Sequence, residues 1–262
     1  MTTYLDSILD WHRQRAALDQ RPLDRLIEDA VKCPPTRGFR SALAHRDELA
    51  VISEIKRRSP SKGHLNADLD PAALAAQYAA GGAACLSVLT DEQFFGGSIA
   101  DLQAARAACA LPVLRKDFTV SAHDIADARI MGADCVLLIA AALRSCSLGD
   151  LHSLATELGL DVLVEIHDED ELEIALEADA TLIGVNQRDL VTFEVDHERA
   201  LRVGSSIPDG IVKVAESGVR HSADARALHE AGFHAVLVGE TLVTSGDPTR
   251  AVRDLITAES CN

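Results

Sequence analysis

Short runs of aliphatic and β-branched residues alternate with longer amphipathic segments from Val51 onward. Each run is followed by a segment with helical periodicity, which is typical of βαβ units around a parallel sheet. Eight such units in a chain of this length favour a closed (β/α)8 TIM barrel of the α/β class over an open doubly wound sheet. The runs begin at Val51, Cys85, Pro112, Asp134, Asp161, Thr181, Ile211 and Ala235.

Helix signals between the runs support this architecture. Asp70 and Pro71 supply a cap and a first-turn proline, and the Ala-rich stretch after them reaches a glycine at Gly81. Ser121 precedes an amphipathic stretch that stops at Gly132. Local propensity and hydrophobic pattern therefore predict the same helices.

An extension precedes the first strand. It contains the amphipathic stretches ILDWHRQRAALDQ and LDRLIEDA, which predict helices rather than disorder. Because no linker interrupts the chain, we expect one domain over residues 1–262. Residues from about 1 to 48 form the helical extension packed on the barrel, and those from about 49 to 262 form the barrel. We expect the residues before about Leu43 to lie over the barrel mouth.

Composition narrows the class of partner. The 262 residues carry 25 Lys and Arg against 41 Asp and Glu, a net charge of −16 at pH 7, so neither nucleic acid nor an anionic membrane is expected. The longest apolar run, from Cys135 to Leu143, is far shorter than the roughly 18–20 residues of a membrane helix. With no export signal at the N-terminus, the sequence predicts a soluble cytoplasmic protein, a monomer or a weak homodimer.

The cysteines fit a reducing compartment. They are scattered and form no C-x-x-C pair, so we expect reduced thiols that are mostly packed. They are Cys33, Cys85, Cys109, Cys135, Cys146 and Cys261.

Charged residues stand at the C-terminal ends of the predicted strands, where a barrel of this kind carries its active site. Alternate residues of a strand share a face, so Glu54 and Lys56 lie on the face of Ile52. The same alternation aligns Leu114, Lys116 and Phe118, then Leu163, Glu165 and His167, then Gly184 and Asn186. Paired acids and bases on one rim can shift one another's pKa values toward working pH. Taken singly, each charge is equally well explained as a salt bridge or a solvated strand end.

Glycines follow the last two strands, where barrels of this type bind phosphate. The seventh run ends in Glu216, Ser217 and Gly218, and the eighth ends before Gly239 and Glu240. Backbone N–H groups and a short helix starting near Thr241 would meet an anion there. Arg188 would add a side-chain cation, although a salt bridge with Asp189 is the alternative. Turn geometry alone also explains either glycine.

No metal site is predicted. The histidines considered do not form a spaced ligand set with carboxylates, and the HDED string from His167 reads as the acidic first turn of a helix. These histidines are His123, His152, His167, His221 and His234.

Six strings, in order along the barrel, resemble the indole-3-glycerol phosphate synthase family. The resemblance runs from about Leu5 to the end and implies the monofunctional form, because the chain ends after the barrel. It implies ring closure of 1-(2-carboxyphenylamino)-1-deoxyribulose 5-phosphate to indole-3-glycerol phosphate, with loss of carbon dioxide and water, in tryptophan biosynthesis. No cofactor or metal is implied. The strings are EIKRRSPS from Glu54, FFGGS from Phe94, LRKDF from Leu114, VEIH from Val164, GVNQRDL from Gly184 and AESGV from Ala215.

The resemblance also implies roles. Lys116 is similar to the general acid that protonates the ribulose carbonyl oxygen. Lys56, held by Glu54, is similar to the cation that meets the anthranilate carboxylate, and Glu165 to the acid and base of the dehydration. The resemblance implies polar contacts to the substrate from Asn186, Glu216 and Ser217. It implies that Phe94 or Phe95, together with Phe118, packs against the anthranilate ring. The phosphate binders that it implies are Ser59, Arg188, Gly218 and Gly239.

Two positions depart from the family pattern. Gln187 stands where asparagine is frequent, and it alternates away from the barrel interior. Glu240 stands where some members have serine, so it replaces a hydroxyl with a negative charge beside the phosphate; backbone N–H groups still serve if Glu240 points outward. On physical grounds, a lysine whose pKa is lowered by a neighbouring lysine can act as an acid near neutral pH.

Other functions remain open at this stage. Another phosphate-binding barrel is one, either a sugar-phosphate isomerase or a lyase with a Schiff-base lysine. A barrel that binds a phosphorylated ligand without catalysis is another. In every case the expected partner is a small phosphorylated molecule.

Overall fold

The eight predicted strands form a closed parallel barrel. In a computed structural model, which describes residues 3–44, 46–59, 62–66, 68–143, 145–189 and 191–257, the first strand pairs with the second and the eighth. The prediction of a (β/α)8 barrel is confirmed. Strands β1 to β8 span Ala50–Ile55, Cys85–Leu89, Val113–Lys116, Cys135–Ile139, Asp161–Ile166, Leu182–Asn186, Val212–Glu216 and Ala235–Val238. A small antiparallel hairpin, Arg58–Ser59 with Gly63–His64, follows β1.

Helices α1 to α13 span Tyr4–Leu18, Leu23–Val31, Phe39–Ala44, Pro71–Gly81, Glu92–Phe95, Ile99–Ala108, Ala122–Met131, Ser145–Glu157, Glu169–Glu177, His197–Ser206, Ser222–Glu230, Glu240–Val243 and Pro248–Ile256. The predicted caps are present. The Asp70 side chain accepts hydrogen bonds at the start of α4, and the Ser121 side chain does so at the start of α7. The acidic string after His167 is the first turn of α9, as predicted. None of the described helices is long and apolar enough to cross a membrane.

Two apolar layers hold the barrel together. One lies between the strands and the surrounding helices. The other fills the barrel interior and includes Ile52, Leu114 and Leu163, all fully buried. Because side chains alternate, Glu54, Lys116 and Glu165 follow on the same faces, two residues nearer the C-terminal ends. Apolar side chains fill the barrel interior, so these charged side chains lie at the mouth formed by the C-terminal ends of the strands.

The N-terminal segment contacts both ends of the barrel. Helix α1 lies across the mouth, where the ring of His12 is buried and its Nε2–H donates a hydrogen bond to Asp91 Oδ2 at 2.9 Å. Helix α3 lies at the opposite end, where Arg40 N–H donates to Asp161 at the start of β5. Phe39 and Leu43 are buried there in the interior layer. The expectation that the whole segment before Leu43 covers the mouth is therefore wrong for α3.

The cysteines differ in exposure. Cys85 and Cys135 are buried in strands, and burial raises the pKa of both thiols well above the ordinary range. Cys33 and Cys109 are half-buried, whereas Cys146 is exposed. The sixth, Cys261, lies outside the described residues.

Candidate active site

A cavity of about 190 Å³ opens at the C-terminal ends of the strands. It collects residues that are far apart in the chain, as the alternation along each strand predicts. All but two of the predicted site residues line it; the exceptions are Phe94 and Gly218. The predicted residues in its lining are Glu54, Lys56, Ser59, Phe95, Lys116, Phe118, Glu165, Asn186, Arg188, Glu216, Ser217, Gly239 and Glu240.

One lysine and two glutamates form the centre of the cavity floor. Lys116 Nζ donates to Glu165 Oε2 at 3.2 Å and lies 3.6 Å from Glu216 Oε2. Asn186 Nδ2 donates to the other oxygen of Glu165, Oε1, also at 3.2 Å. Both carboxylates are almost fully buried. Four strands therefore contribute one polar group each to a single network.

Each charged group of this network shifts the pKa of its neighbours. Burial lowers the pKa of Lys116, but the carboxylates of Glu165 and Glu216 outweigh it and raise that pKa well above its ordinary value. The expectation that a neighbouring lysine lowers a lysine's pKa is thus wrong for Lys116. Burial raises the pKa of Glu165, and the opposing effect of Lys116 brings it below its ordinary value.

The pKa of Glu216 shifts in the direction opposite to that of Glu165. Burial and the nearby charge of Glu165 raise the pKa of Glu216 to about 8. These shifts favour the protonated form of Glu216 beside the ion pair of Lys116 with Glu165. Oε1 of Glu216 is buried and has no hydrogen-bond partner among the described residues.

Glycines make room for the charged groups. A Cβ atom at Gly184 would lie 2.1 Å from Glu216 Oε1, so any side chain there would displace that carboxylate. At Gly239, a Cβ atom would lie 2.3 Å from Glu54 Oε1 and 3.2 Å from Lys56 Nζ. Lys56 donates a hydrogen bond to Glu54, and the missing side chain leaves space for this pair.

The loops after β6, β7 and β8 surround the predicted phosphate-binding end of the cavity. Arg188 lines the cavity, and its guanidinium donates to the carbonyl of Phe193 at 2.9 Å. Within the described chain, Asp189 pairs with Arg199 at 3.7 Å rather than with Arg188, so the salt-bridge alternative for Arg188 is not observed. Ser217 adopts a left-handed backbone with φ of 64°, which is uncommon for a residue with a side chain.

Glu240 and Gly218 flank this end. The Glu240 side chain is 41% exposed and lies 3.4 Å from Lys62 Nζ, so a lysine offsets its negative charge. It is the first residue of the short helix α12, close to the predicted start. A Cβ atom at Gly218 would meet Val195 and His197. Gly218 therefore permits close packing of two loops and has only its backbone to offer a ligand.

Aromatic side chains form part of the cavity lining. Phe95 and Phe118 both line the cavity, with ring centroids 6.1 Å apart. Phe94 instead packs edge-on against Tyr4 and Trp11 of α1, so of the two candidates only Phe95 faces the cavity. Sequence reasoning missed Phe193, which lines the cavity from the loop after β6. No periodicity marks a single aromatic residue in such a loop.

A buried polar cluster fastens α1 beside the cavity. His12 Nε2 lies 2.9 Å from Asp91 and 3.8 Å from Asp117, which also pairs with Arg115 at 2.9 Å. Ligand atoms of His12, Asp91 and Asp117 lie within 4.8 Å of one another, a spacing that a metal ion could occupy. Sequence reasoning did not consider His12, because it is distant in the chain from both aspartates.

The chain is similar to known proteins in sequence and in fold. A sequence model of the family described as indole-3-glycerol phosphate synthase matches residues 5–255. The chain is 53% identical to indole-3-glycerol phosphate synthase 1 of Streptomyces coelicolor, over 97% of this chain and 95% of that protein. It is 50% identical to the indole-3-glycerol phosphate synthase of Rhodococcus jostii, over 98% of this chain and 96% of that one. The crystal structure of a 3-hexulose-6-phosphate synthase aligns over 80% of this chain and 99% of that chain with a TM-score of 0.62; at 18% identity it shows the fold alone.

Proposed function

Because the chain belongs to the indole-3-glycerol phosphate synthase family, we propose that its barrel mouth acts as a carboxy-lyase in tryptophan biosynthesis. The substrate is 1-(2-carboxyphenylamino)-1-deoxyribulose 5-phosphate and the product is indole-3-glycerol phosphate. The observation that carries the proposal is the buried network of Lys116, Glu165 and Glu216, which lines one cavity together with Phe95, Phe118 and Arg188.

The two ends of the cavity fit the two ends of this substrate. Phe95 and Phe118 pack on the anthranilate ring, and Lys56, held by Glu54, meets its carboxylate. Arg188 and Ser59 bind the phosphate together with backbone N–H groups near Gly218, Gly239 and Glu240. Anchoring both ends brings the ring carbon close to the ribulose carbonyl, and such positioning supplies a large part of catalysis.

Lys116 then acts as general acid. It protonates the carbonyl oxygen as the ring carbon that bears the carboxylate attacks the carbonyl carbon. Carbon dioxide leaves from that ring carbon, and its bonding electrons restore the aromatic ring. The new hydroxyl leaves as water when Glu165 removes a proton from the neighbouring CH₂ and returns it to the departing oxygen. Asn186, Glu216 and Ser217 make polar contacts with the substrate and hold these groups.

One incubation tests the proposal. The purified protein and the carboxyphenylamino substrate should yield indole fluorescence, and Lys116→Met should abolish most of it. Trapping of the substrate on Lys56 or Lys116 by borohydride would favour a Schiff-base lyase instead, and binding without turnover would favour a ligand-binding barrel. We also propose that the enzyme acts as a cytoplasmic monomer. Size-exclusion chromatography at working concentration tests the monomer.

A further inference from the structure

Two buried aspartates hold the backbone of the aromatic residues to which the proposed function assigns the anthranilate ring, and this inference rests on that function. Asp91 follows β2, and its Oδ1 accepts hydrogen bonds from the backbone N–H groups of Phe94 at 2.5 Å and Phe95 at 3.0 Å. Asp117 follows β3, and its Oδ1 accepts a hydrogen bond from the Phe118 N–H at 2.8 Å. The orientation of each carboxylate therefore sets where the neighbouring aromatic residue lies.

His12 of α1 contacts both carboxylates. Its Nε2–H donates to Asp91 Oδ2 at 2.9 Å, the oxygen that does not bind the N–H groups of α5. The same Nε2 lies 3.8 Å from Asp117 Oδ1, the oxygen that receives the Phe118 N–H. The His12 ring also packs on the Phe118 ring, with centroids 5.4 Å apart. One side chain from the N-terminal helix thus joins the supports of two cavity loops.

The two aspartates depend on His12 to different degrees. Asp117 Oδ2 also accepts hydrogen bonds from the Thr90 hydroxyl at 2.5 Å and from Arg115 at 2.9 Å. Burial raises the pKa of Asp117, but these partners and His12 outweigh it and bring that pKa below its ordinary value. Within the described chain, no side chain other than His12 bonds to Asp91. Loss of His12 therefore affects Asp91, and the loop that ends at Phe95, more than it affects Asp117.

A histidine at this position is costly to bury. The His12 side chain is fully buried, and its Nδ1 has no hydrogen-bond partner among the described residues. An unpaired polar atom in the interior lowers stability, and an apolar side chain of similar size would avoid that cost. The bond from Nε2 to Asp91 is what an apolar side chain would not supply.

We propose that His12 is a positioning residue that holds Phe95, through Asp91, in place against Phe118 and so sets the fit of the anthranilate ring. His12 lies outside the cavity lining, so it acts on the substrate through these residues. Without its bond, the Asp91 carboxylate is free to turn, and α5 loses the fixed cap at its start. The attacking ring carbon is then held less closely to the ribulose carbonyl, so KM rises and kcat falls.

A matched pair of substitutions tests this role. His12→Asn and His12→Gln introduce the same neutral carboxamide, but only glutamine is long enough to bring an N–H group to the place of Nε2. In His12→Asn, kcat/KM should fall about 10–100-fold, the scale of a small misplacement of reacting groups. His12→Gln should retain most of the wild-type value.

A double-mutant cycle identifies the residue through which His12 acts. In a Phe95→Leu background the ring that His12 positions is already missing, so His12→Asn should lower kcat/KM by a smaller factor, the reduction being about threefold or more. In an Arg188→Ala background the substitution should cost the same factor as in the wild type, because Arg188 belongs to the phosphate-binding end. Independent sites give multiplying factors, whereas residues that act together do not.

Arg15→Ala is the matched control for the anchoring of α1. It removes a different contact of the same helix, the 2.6 Å hydrogen bond from Arg15 to Asp124 of α7, and it should stay close to the wild-type kcat/KM. All rates are measured below the unfolding temperature of the least stable variant. The wild type should keep its activity in a strong chelator, which separates positioning by His12 from metal binding by the same cluster.

The possible results separate this inference from the proposed function. Absence of indole product from the wild type overturns the proposed function and this inference with it. With an active wild type, equal losses in His12→Asn and His12→Gln, or in His12→Asn and Arg15→Ala, overturn the positioning role alone. An undiminished effect of His12→Asn in the Phe95→Leu background does so as well. If His12→Asn does not fold, a folded His12→Gln variant that loses kcat/KM about 10-fold or more overturns the role by itself.

Discussion

Lys116 Nζ donates a 3.2 Å hydrogen bond to Glu165 Oε2. The proposed acid of ring closure and the proposed acid and base of dehydration are therefore in direct contact before substrate binds. Each group sets the ionisation of the other, since Lys116 lowers the pKa of Glu165 and Glu165 raises the pKa of Lys116. The two proposed steps can therefore share one cavity.

The first prediction concerns these two residues. General acids and bases typically contribute about 10²–10⁴-fold, so Lys116→Met and Glu165→Gln should each lose activity on that scale and remain folded. Without Lys116 the substrate should stay unconsumed. Without Glu165, Lys116 still has Glu216 at 3.6 Å and closure can proceed, so single turnovers should release carbon dioxide before indole appears. Simultaneous release of both from the Glu165 variant would place Glu165 in or before closure.

The second prediction concerns Arg188. Its guanidinium lines the cavity, so Arg188→Ala should weaken phosphate binding by about 1.5–3 kcal/mol, the usual range for a hydrogen bond to a charged group. The expected result is a raised KM with a smaller change in kcat. Arg250→Ala is a suitable control, because Arg250 pairs with Asp254 on α13, outside the cavity lining. An unchanged KM in Arg188→Ala would mean that the side chain only supports the carbonyl of Phe193.

The third prediction concerns pH and stability. The pKa of Glu216 rises from an ordinary value of 4.5 to about 8 in the folded protein, so folding takes up a proton between these values. The stability gained from this group is complete below the lower pKa and disappears as pH rises through the higher one. Relative to Glu216→Gln, the wild type should therefore lose on the order of a few kcal/mol of unfolding free energy across that window. If the unfolding free energies of the two proteins changed equally with pH over this window, the raised pKa of Glu216 would be contradicted.

The fourth prediction separates the two ends of the N-terminal segment. Removal of residues 1–20 deletes α1 and leaves Asp91 without His12, which should loosen the loop that carries Phe95. KM should rise while the barrel stays folded. Removal of residues 1–44 also deletes Phe39 and Leu43 from the interior layer and should lower the unfolding temperature markedly. Equal unfolding temperatures for the two truncated proteins would show that α3 adds little to the barrel.

The fifth prediction concerns metals. Lysines supply the positive charge in the proposed mechanism, and the carboxylates of Asp91 and Asp117 already bond to His12, to Arg115 and to backbone N–H groups. Activity should therefore survive a strong chelator. Loss of activity that an added divalent metal restores would assign an ion to the His12 cluster, and His12→Asn would then show the same loss without chelator.

The periodicity of the sequence by itself determined the fold and the position of the charged residues at the C-terminal ends of the strands. Alternation within a strand is a local property, so the pattern around Ile52, Leu114 and Leu163 was sufficient to place Glu54, Lys116 and Glu165 on one face at one end of the barrel. Capping residues such as Asp70 and Ser121 are equally local, and the predicted helix starts agree with the structure.

Tertiary structure alone decided which groups meet and with what charge. The pKa of Lys116 depends on carboxylates from other strands, whose distances are set only when the barrel closes. Arg188 and Asp189 are neighbours in the chain, yet Asp189 pairs with Arg199 of α10. The choice of Phe95 over Phe94 depends on the packing of α1. Sequence periodicity fixes the direction of a side chain relative to its own element, whereas pairing and ionisation depend on distances between elements that only the closed barrel defines.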